Sequence, residues 1–578
     1  MNERIKIEDE DLENLHLLDF DEESDSQSNK CISKTFLNEV KINAKMGFPV
    51  LITNVFQYAL NVETTSFCGR LTSTELEGVG LALSLLSAFG WCVCSGMISA
   101  CDTMFAQSFG SENKKRTGLF LQRAFVLMNL IPVFLWAWHI NAEPILILLG
   151  QDHQVSRVAG EFLICFIPGV TFIVNYLIMA RYMQDQGCLW PAVIAAFCGN
   201  IFNICSQLLF VSYLQYGFKA SAVCHAFSFG VMALIEIIYI FKSKFYLATW
   251  PGFQLEALFD WGSMFYLGLA GVGHITFEVI IWEGTVFMGG LLGNVELAVQ
   301  SILMQVVGLL FMVYYGAAIA CNIRIGQCLG ANRPSQAKLA YRAGTFNIAI
   351  TTIVLGTTII LLRNQIPLVF TNKQNVIDGI QKVMPFMFIL LYSDSFSSVF
   401  SATLRGCGRQ VAGCIIIFIS FYILSLPLSI ILGFVFNMSI KGIWLGTTIG
   451  SVVSVLAIAI LLECQDWKHQ AYLAQRRILY CSVKKTRDGT ESLISSVHLS
   501  VDNVKTSPSH VRTPSHPITC STAIVVLSKP RLKVDKSIIW KRIIIAGFVF
   551  LFLLCGIFIH AFLPTELYRG SNSTIIRI

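Results

Sequence analysis

Long apolar runs separated by short polar breaks are the dominant pattern along the chain. They lie near 44–66, 78–100, 118–141, 158–179, 190–213 and 217–241. A second set follows near 263–289, 297–321, 339–362, 379–400, 411–436 and 440–463, and one more at 539–563. A helix of about 20 apolar residues crosses the roughly 30 Å hydrocarbon layer of a bilayer, and each run is long enough. No segment alternates as a strand does, and helices satisfy their own backbone groups in lipid. The pattern predicts an all-α polytopic membrane protein with thirteen spans. Composition agrees: the 578 residues are 54% hydrophobic and 13% charged, against about 25% charged in soluble domains.

The chain also repeats itself at a spacing of about 220 residues, the signature of two homologous bundles. Cys68-Gly69-Arg70-Leu71 followed by Glu75-Leu76 corresponds to Gly289-Gly290-Leu291-Leu292 followed by Glu296-Leu297. Ala100-Cys101-Asp102, Gln107 and Gly110 correspond to Ala320-Cys321-Asn322, Gln327 and Gly330, and Lys219 corresponds to Lys441. Six spans return a chain to its starting side. Two six-helix bundles of equal topology are therefore expected, related by a pseudo-two-fold axis along the membrane normal. The expected domains are an acidic disordered cytoplasmic tail (1–40), a first lobe (41–242), a cytoplasmic inter-lobe linker (243–262) and a second lobe (263–463). A disordered cytoplasmic linker (464–538), a thirteenth transmembrane helix (539–563) and an extracellular tail (564–578) follow. The extra helix has no repeat partner.

Charge reports topology. With the N-terminus inside, cytoplasmic loops carry Lys114-Lys115-Arg116, Lys242 with Lys244, Arg333 with Lys338, and Arg405 with Arg409; the opposite loops are poorer in Lys and Arg, the bias expected of that orientation. Thirteen spans place the C-terminus outside, where Asn572-Ser573-Thr574 forms a glycosylation sequon. The N-terminal segment has no apolar core and is no cleavable signal peptide. The net charge of +6 sits largely in loops and the late linker and implies no nucleic acid. The 18 cysteines are mostly single and intrahelical, apolar fillers without metal-ligand spacing. No Walker loop, HExxH or GxSxG occurs, so no enzyme and no cofactor are expected.

Ionisable groups at membrane depth are costly and are functional candidates by default. The seventh span carries Glu278 and Glu283, and the tenth carries Asp394. A carboxyl in a half-dry cavity alternates between neutral acid and anionic partner for a cation, which is the least machinery that exchange requires. Glu278 and Glu283 are five residues apart, about 500° around a helix; they cannot both face one cavity squarely. Asn54, Gln57, Asn200 and Asn203 are the uncharged polar candidates of the first lobe, the last two sharing a helix face. Glu63 is a further acid, near the end of the first span. Trp282, Tyr314, Tyr315 and Tyr392 are either aromatic cavity walls or packing, and His274 either joins a proton path or packs neutral.

Ser99-Ala100-Cys101-Asp102-Thr103 with Gln107, Gly110 and Ser111, CGRL at 68–71, QDQG at 184–187, VELAVQS at 295–301 and LRGCGRQ at 404–410 resemble the multidrug and toxin extrusion (MATE) family over about residues 40–463. The animal branch, which exchanges organic cations for protons, is the most similar. The resemblance implies that Glu278 and Glu283 match acidic positions of that branch and that Asp394 stands where it has a glutamate. Two departures are visible. Gln305 replaces a common acid of the eighth helix, so that position hydrogen-bonds but does not titrate. Val279 replaces an aromatic residue, removing a cation–π surface. The implied function is a secondary antiporter of the plasma membrane, monomeric, that exports organic cations by alternating access against protons. Sodium coupling and a lipid or lipid-linked sugar flippase are the alternatives; a flippase for anionic head groups would favour a basic cavity.

Overall fold

The computed structural model describes residues 29–478 of the chain, and every regular element among them is helical. Ten helices are long and apolar enough to cross a membrane. They are α2 (Ser73–Gly110), α3 (Lys115–Ile140), α5 (Trp190–Tyr213), α6 (Gly217–Lys242), α7 (Gly262–Leu292), α8 (Asn294–Gly330), α9 (Pro334–Leu362), α10 (Gln374–Cys407), α11 (Gln410–Val435) and α12 (Ile440–Glu463). An eleventh span, α4, is broken into His153–Cys165 and Ile167–Gln184 with a 52° bend. Pro168 begins its second piece, where a residue without a backbone N–H is tolerated. The first expected span lies in α1 (Asn29–Cys68), whose Asn54, Gln57, Asn61 and Glu63 make it less apolar than those ten.

Two expectations are corrected. Residues 29–40, expected as disordered tail, open α1: Glu39 accepts from Arg324 of α8 at 2.5 Å, and Val40 O from Asn347 of α9 at 2.9 Å. Residues 467–478, expected inside a disordered linker, form a helix. Trp467, Ala471, Ala474 and Ile478 recur every three or four residues along it and are all buried, so the segment has an apolar stripe that needs a partner. The 243–262 linker is pinned to the first copy: Gln122 donates to Gly252 O at 2.8 Å and accepts from Gln254 N at 2.9 Å. The thirteenth span, the tails at 1–28 and 564–578 and residues 479–538 lie outside the described residues.

Two large apolar cores form. One runs from Leu60 to Leu267, and the other from Val299 to Ala474. Between them the contacts occur in pairs spaced by the repeat. Gly96 of α2 lies against Val272 of α7, and Gly316 of α8 lies against Leu51 of α1. A Cβ on Gly268 would stand 3.0 Å from Met97 O, and one on Gly47 3.2 Å from Ala317 Cα. Small residues let helix backbones approach this closely without lipid between them. Local motifs pair as well. Thr72 and Glu75 form a capping box at the start of α2, while Glu296, its repeat counterpart, accepts from Ser439 at 3.5 Å. Single stretches of π-helix close α5 at Leu208–Tyr213 and α11 at Ile431–Val435.

Candidate functional site

The signature Gln and Gly residues of each copy meet at one end of the bundle. Gly110 abuts the backbone carbonyl of Gln327, and Gly330 abuts that of Gln107, so near that any Cβ would collide. The glutamine side chains cross over. Gln107 donates to Gly406 O at 2.8 Å, and Gln327 donates to Asp185 O at 2.7 Å. Gly406 and Asp185 are themselves repeat counterparts, in RGCG and QDQG, and both segments end in a left-handed glycine: Gly408 (φ 71°) and Gly187 (φ 83°). Thr103 adds a bond to Arg405 O at 2.6 Å, and Gln410 adds one to Ser99 O at 3.0 Å. Arg477 of the 467–478 helix donates to Gln107 Oε1 (3.3 Å), Cys407 O (2.9 Å) and Gly408 O (3.2 Å), and Gln475 donates to Gly330 O (2.6 Å). The end is sealed by reciprocal main-chain recognition, and the 467–478 helix braces both copies across the seal.

Above the seal lie the acids of the second copy. Asp394 sits on the buried face of α10, between Ser393, which accepts from Ser451 of α12 at 2.8 Å, and Ser395, which accepts from Thr352 of α9 at 2.8 Å. These hydroxyl contacts fix the rotation of α10 and aim the carboxylate at α8, where buried Tyr314 donates its hydroxyl to Asp394 Oδ2. Glu278 of α7 is half-buried and within electrostatic reach of Asp394, Tyr314 and Arg405. Glu283 is exposed, one turn and a half further along α7. The expected divergence of the two glutamates is thus what the helix delivers: only Glu278 joins the Asp394–Tyr314 group. His274, one turn before Glu278, is buried and lines a small cavity with Ser99, Ser401, Arg405 and Gln410, just inside the seal.

The uncharged candidates hold helices together in this conformation. Gln57 donates to Tyr176 Oη at 2.6 Å, Asn200 to Phe56 O at 3.0 Å, and Asn203 to Glu63 Oε2 at 2.7 Å. Asn54 is buried with its amide nitrogen unpartnered. Gln305 accepts from the Tyr58 hydroxyl at 2.9 Å, joining α8 to α1 on the far side of the acids from the seal. Of the aromatic candidates, Tyr314 serves the acid directly. Trp282 lies against Trp444, Tyr315 stacks on Phe311 at 4.9 Å, and Tyr392 tilts onto Phe388. Asp102 of the Ser99–Thr103 motif is ion-paired with half-buried Arg181 at 3.2 Å beside the first core. Sequence reasoning missed the Tyr314–Asp394 bond and the Arg477 brace. A hydroxyl and a carboxyl 80 residues apart leave no periodic trace, but the basic helix turn at 475–478 does.

Helices alone among the described residues, in two matched membrane-crossing sets sealed together at one end with a buried carboxyl in the second set, have the construction of a multi-pass membrane transporter. The comparisons with known proteins agree. The MatE family profile matches residues 49–209 and again 276–431. Multidrug and toxin extrusion protein 2 of Oryctolagus cuniculus is 34% identical over 447 residues, covering 77% of this chain and 74% of the relative. Its counterpart in Pongo abelii is 31% identical over 537 residues, covering 88% and 92%. The crystal structure of the eukaryotic MATE transporter AtDTX14 superposes with a TM-score of 0.73 at 24% identity, covering 77% of this chain and 99% of that one. The Vibrio cholerae MATE transporter VcmN in the bent form gives 0.66 at 13% identity, covering 77% and 99%; both support the fold. The chain belongs to the multidrug and toxin extrusion (MatE) family and is a transporter of that family.

Proposed function

We propose that the chain exports organic cations in exchange for protons by alternating access across the plasma membrane. The observation that carries this reading is the Asp394 carboxyl of α10, buried and hydrogen-bonded by Tyr314 of α8, with half-buried Glu278 of α7 close enough to feel its charge. Two carboxylates in a poorly hydrated site repel each other and favour either a proton or a cation between them. A proton neutralises the site and releases the cation; an arriving cation favours proton loss. Binding of the two is then mutually exclusive, and their movements are coupled through one site. Each unit of pH difference supplies about 1.4 kcal/mol per proton.

The lobes at 41–242 and 263–463 are the moving bodies in this reading, related by an axis along the membrane normal. Their paired glycine crossings support a rocking motion in which the sealed end opens as the Tyr58–Gln305 side closes. That end is cytoplasmic if the N-terminus is inside, as the Lys and Arg bias indicates. Glu283, on the exposed side of α7, is a candidate for substrate entry; Asn54, Gln57, Asn200 and Asn203 line the first lobe's share of the path once their present partners part. The transporter acts as a monomer. Inside-acid membrane vesicles carrying the protein should accumulate a labelled organic cation, and Glu278→Gln at equal expression should not. Uptake that follows a sodium gradient and ignores pH would replace the proton by sodium; transfer of a labelled lipid in either gradient would replace the cation by a head group.

A further inference from the structure

The buried stripe of α6 runs through Ser221, His225, Ser228, Met232, Glu236 and Ile240, residues three or four apart that turn the same face to the first core. Apolar or hydroxyl residues fill every position of it except two. His225 is satisfied by the Thr64 hydroxyl at 2.8 Å. Glu236 is not: it is 0% exposed, and neither carboxyl oxygen has a hydrogen-bond partner. Such a group is rare in a folded chain, since an unpaired charge at this depth is strongly disfavoured. The protonated acid carries no such charge. Among the described residues no cation faces it to do the same work. On α4, Arg181 is held by Asp102 at 3.2 Å. Glu63 of α1 is held by Asn203 of α5, Tyr239 of α6 meets Cys188, and Lys219 at the far end of α6 pairs with Glu161. The group that feels Glu236 is Tyr176 of α4. Its hydroxyl oxygen accepts from Gln57 of α1, which leaves the hydroxyl proton free to be donated. Gln57 is the repeat counterpart of Glu278.

We propose that Glu236 is a second proton-binding carboxyl of the transport cycle, placed in the first copy and joined through Tyr176 and Gln57 to the space where the acids of the second copy lie. This rests on the proton-coupled reading above and extends it: the carboxyl missing at Gln57 is supplied from the next layer of helices. The step is a simple protonation, in which the Glu236 carboxylate takes a proton from cavity water in one orientation and returns it to water in the other. Tyr176 and Gln57 are positioning residues for that exchange.

The test uses full-length protein in lipid nanodiscs and in vesicles. Infrared difference spectra between acid and alkaline buffer should contain a protonated-carboxyl band that Glu236→Gln removes. In vesicles the same variant should lose part of the pH dependence of cation uptake while binding labelled cation as the wild type does at fixed pH. Tyr176→Phe should retain the band and slow proton-driven uptake. If Glu236→Gln folds poorly, Glu236→Leu, which completes the apolar stripe, is read in its place. A spectrum and pH profile unchanged from wild type in the folded variant overturn the proposal. A wild-type protein that shows the band without proton-driven uptake keeps Glu236 as a proton site and removes proton coupling; proton-driven uptake that Glu236→Gln leaves untouched removes Glu236 alone.

Discussion

Replacing Gly330 by alanine tests how the bundle is closed. The added Cβ meets the carbonyl oxygen of Gln107, a backbone atom that has no rotamer with which to retreat. Gln107 is itself held by Gly406 and Arg477, so the clash is relieved only if α2 and α8 part. Overpacking of this kind costs about 1–3 kcal/mol, which shifts an equilibrium between sealed and open ends by roughly fivefold to hundredfold. The penalty falls on the sealed state alone, because the two glycine faces separate when the end opens. Cys407 is a native reporter, fully buried beneath the Arg477 guanidinium in the sealed end. Its alkylation by a membrane-impermeant maleimide, followed by mass spectrometry, should speed up by that same roughly fivefold to hundredfold factor in Gly330→Ala. Gly110→Ala should match it, because its Cβ meets Gln327 in the same way. A folded Gly330→Ala protein whose Cys407 reacts at the wild-type rate would refute the reasoning.

Arg477→Met removes three bonds that span the two copies and should also expose Cys407 to alkylation, with little change in the melting temperature of the first core. Asp102→Asn removes the ion pair of half-buried Arg181, which keeps its bond to Gln184; a loss of stability is expected, read as a lower melting temperature or lower surface expression. Tyr314→Phe and Asp394→Asn act on one hydrogen bond, so their effects on substrate affinity should be less than additive in a double-mutant cycle. Equilibrium binding of a labelled organic cation should weaken as pH falls, since protons and cation claim the same carboxylates, and Glu278→Gln should flatten that dependence.

Much of this architecture was legible from hydropathy. The twelve apolar runs between 44 and 463 are helical, since each is long, sparsely charged and punctuated by Gly, Pro or basic residues. The recurring residues Gln107, Gly110, Gln327 and Gly330 form the seal, which shows the packing reason for their recurrence: each glycine admits the other copy's backbone. Periodicity put Glu278 and Glu283 in different directions around α7, and in the structure the first is half-buried and the second exposed. It could not show that Asn200 and Asn203, well placed on one face, are engaged by Phe56 and Glu63, since hydrogen-bond partners on other helices have no fixed sequence spacing. Residues 29–40 and 467–478 escaped for a related reason. Their polar composition suits a tether, and only the surfaces of α8, α9 and α10 make them fold. Glu236 passed unnoticed because a single acid in an apolar run resembles a helix-end charge until its depth is known.

The central claim is that one site in the second copy, built on Glu278, couples cation to proton. Uptake of a labelled organic cation into vesicles, under an inside-acid pH gradient and then under a sodium gradient, tests it most directly. Wild-type protein should accumulate the cation in the first case only, and Glu278→Gln at equal surface density should accumulate it in neither. Proton-driven uptake that persists at the wild-type rate in Glu278→Gln would contradict the claim.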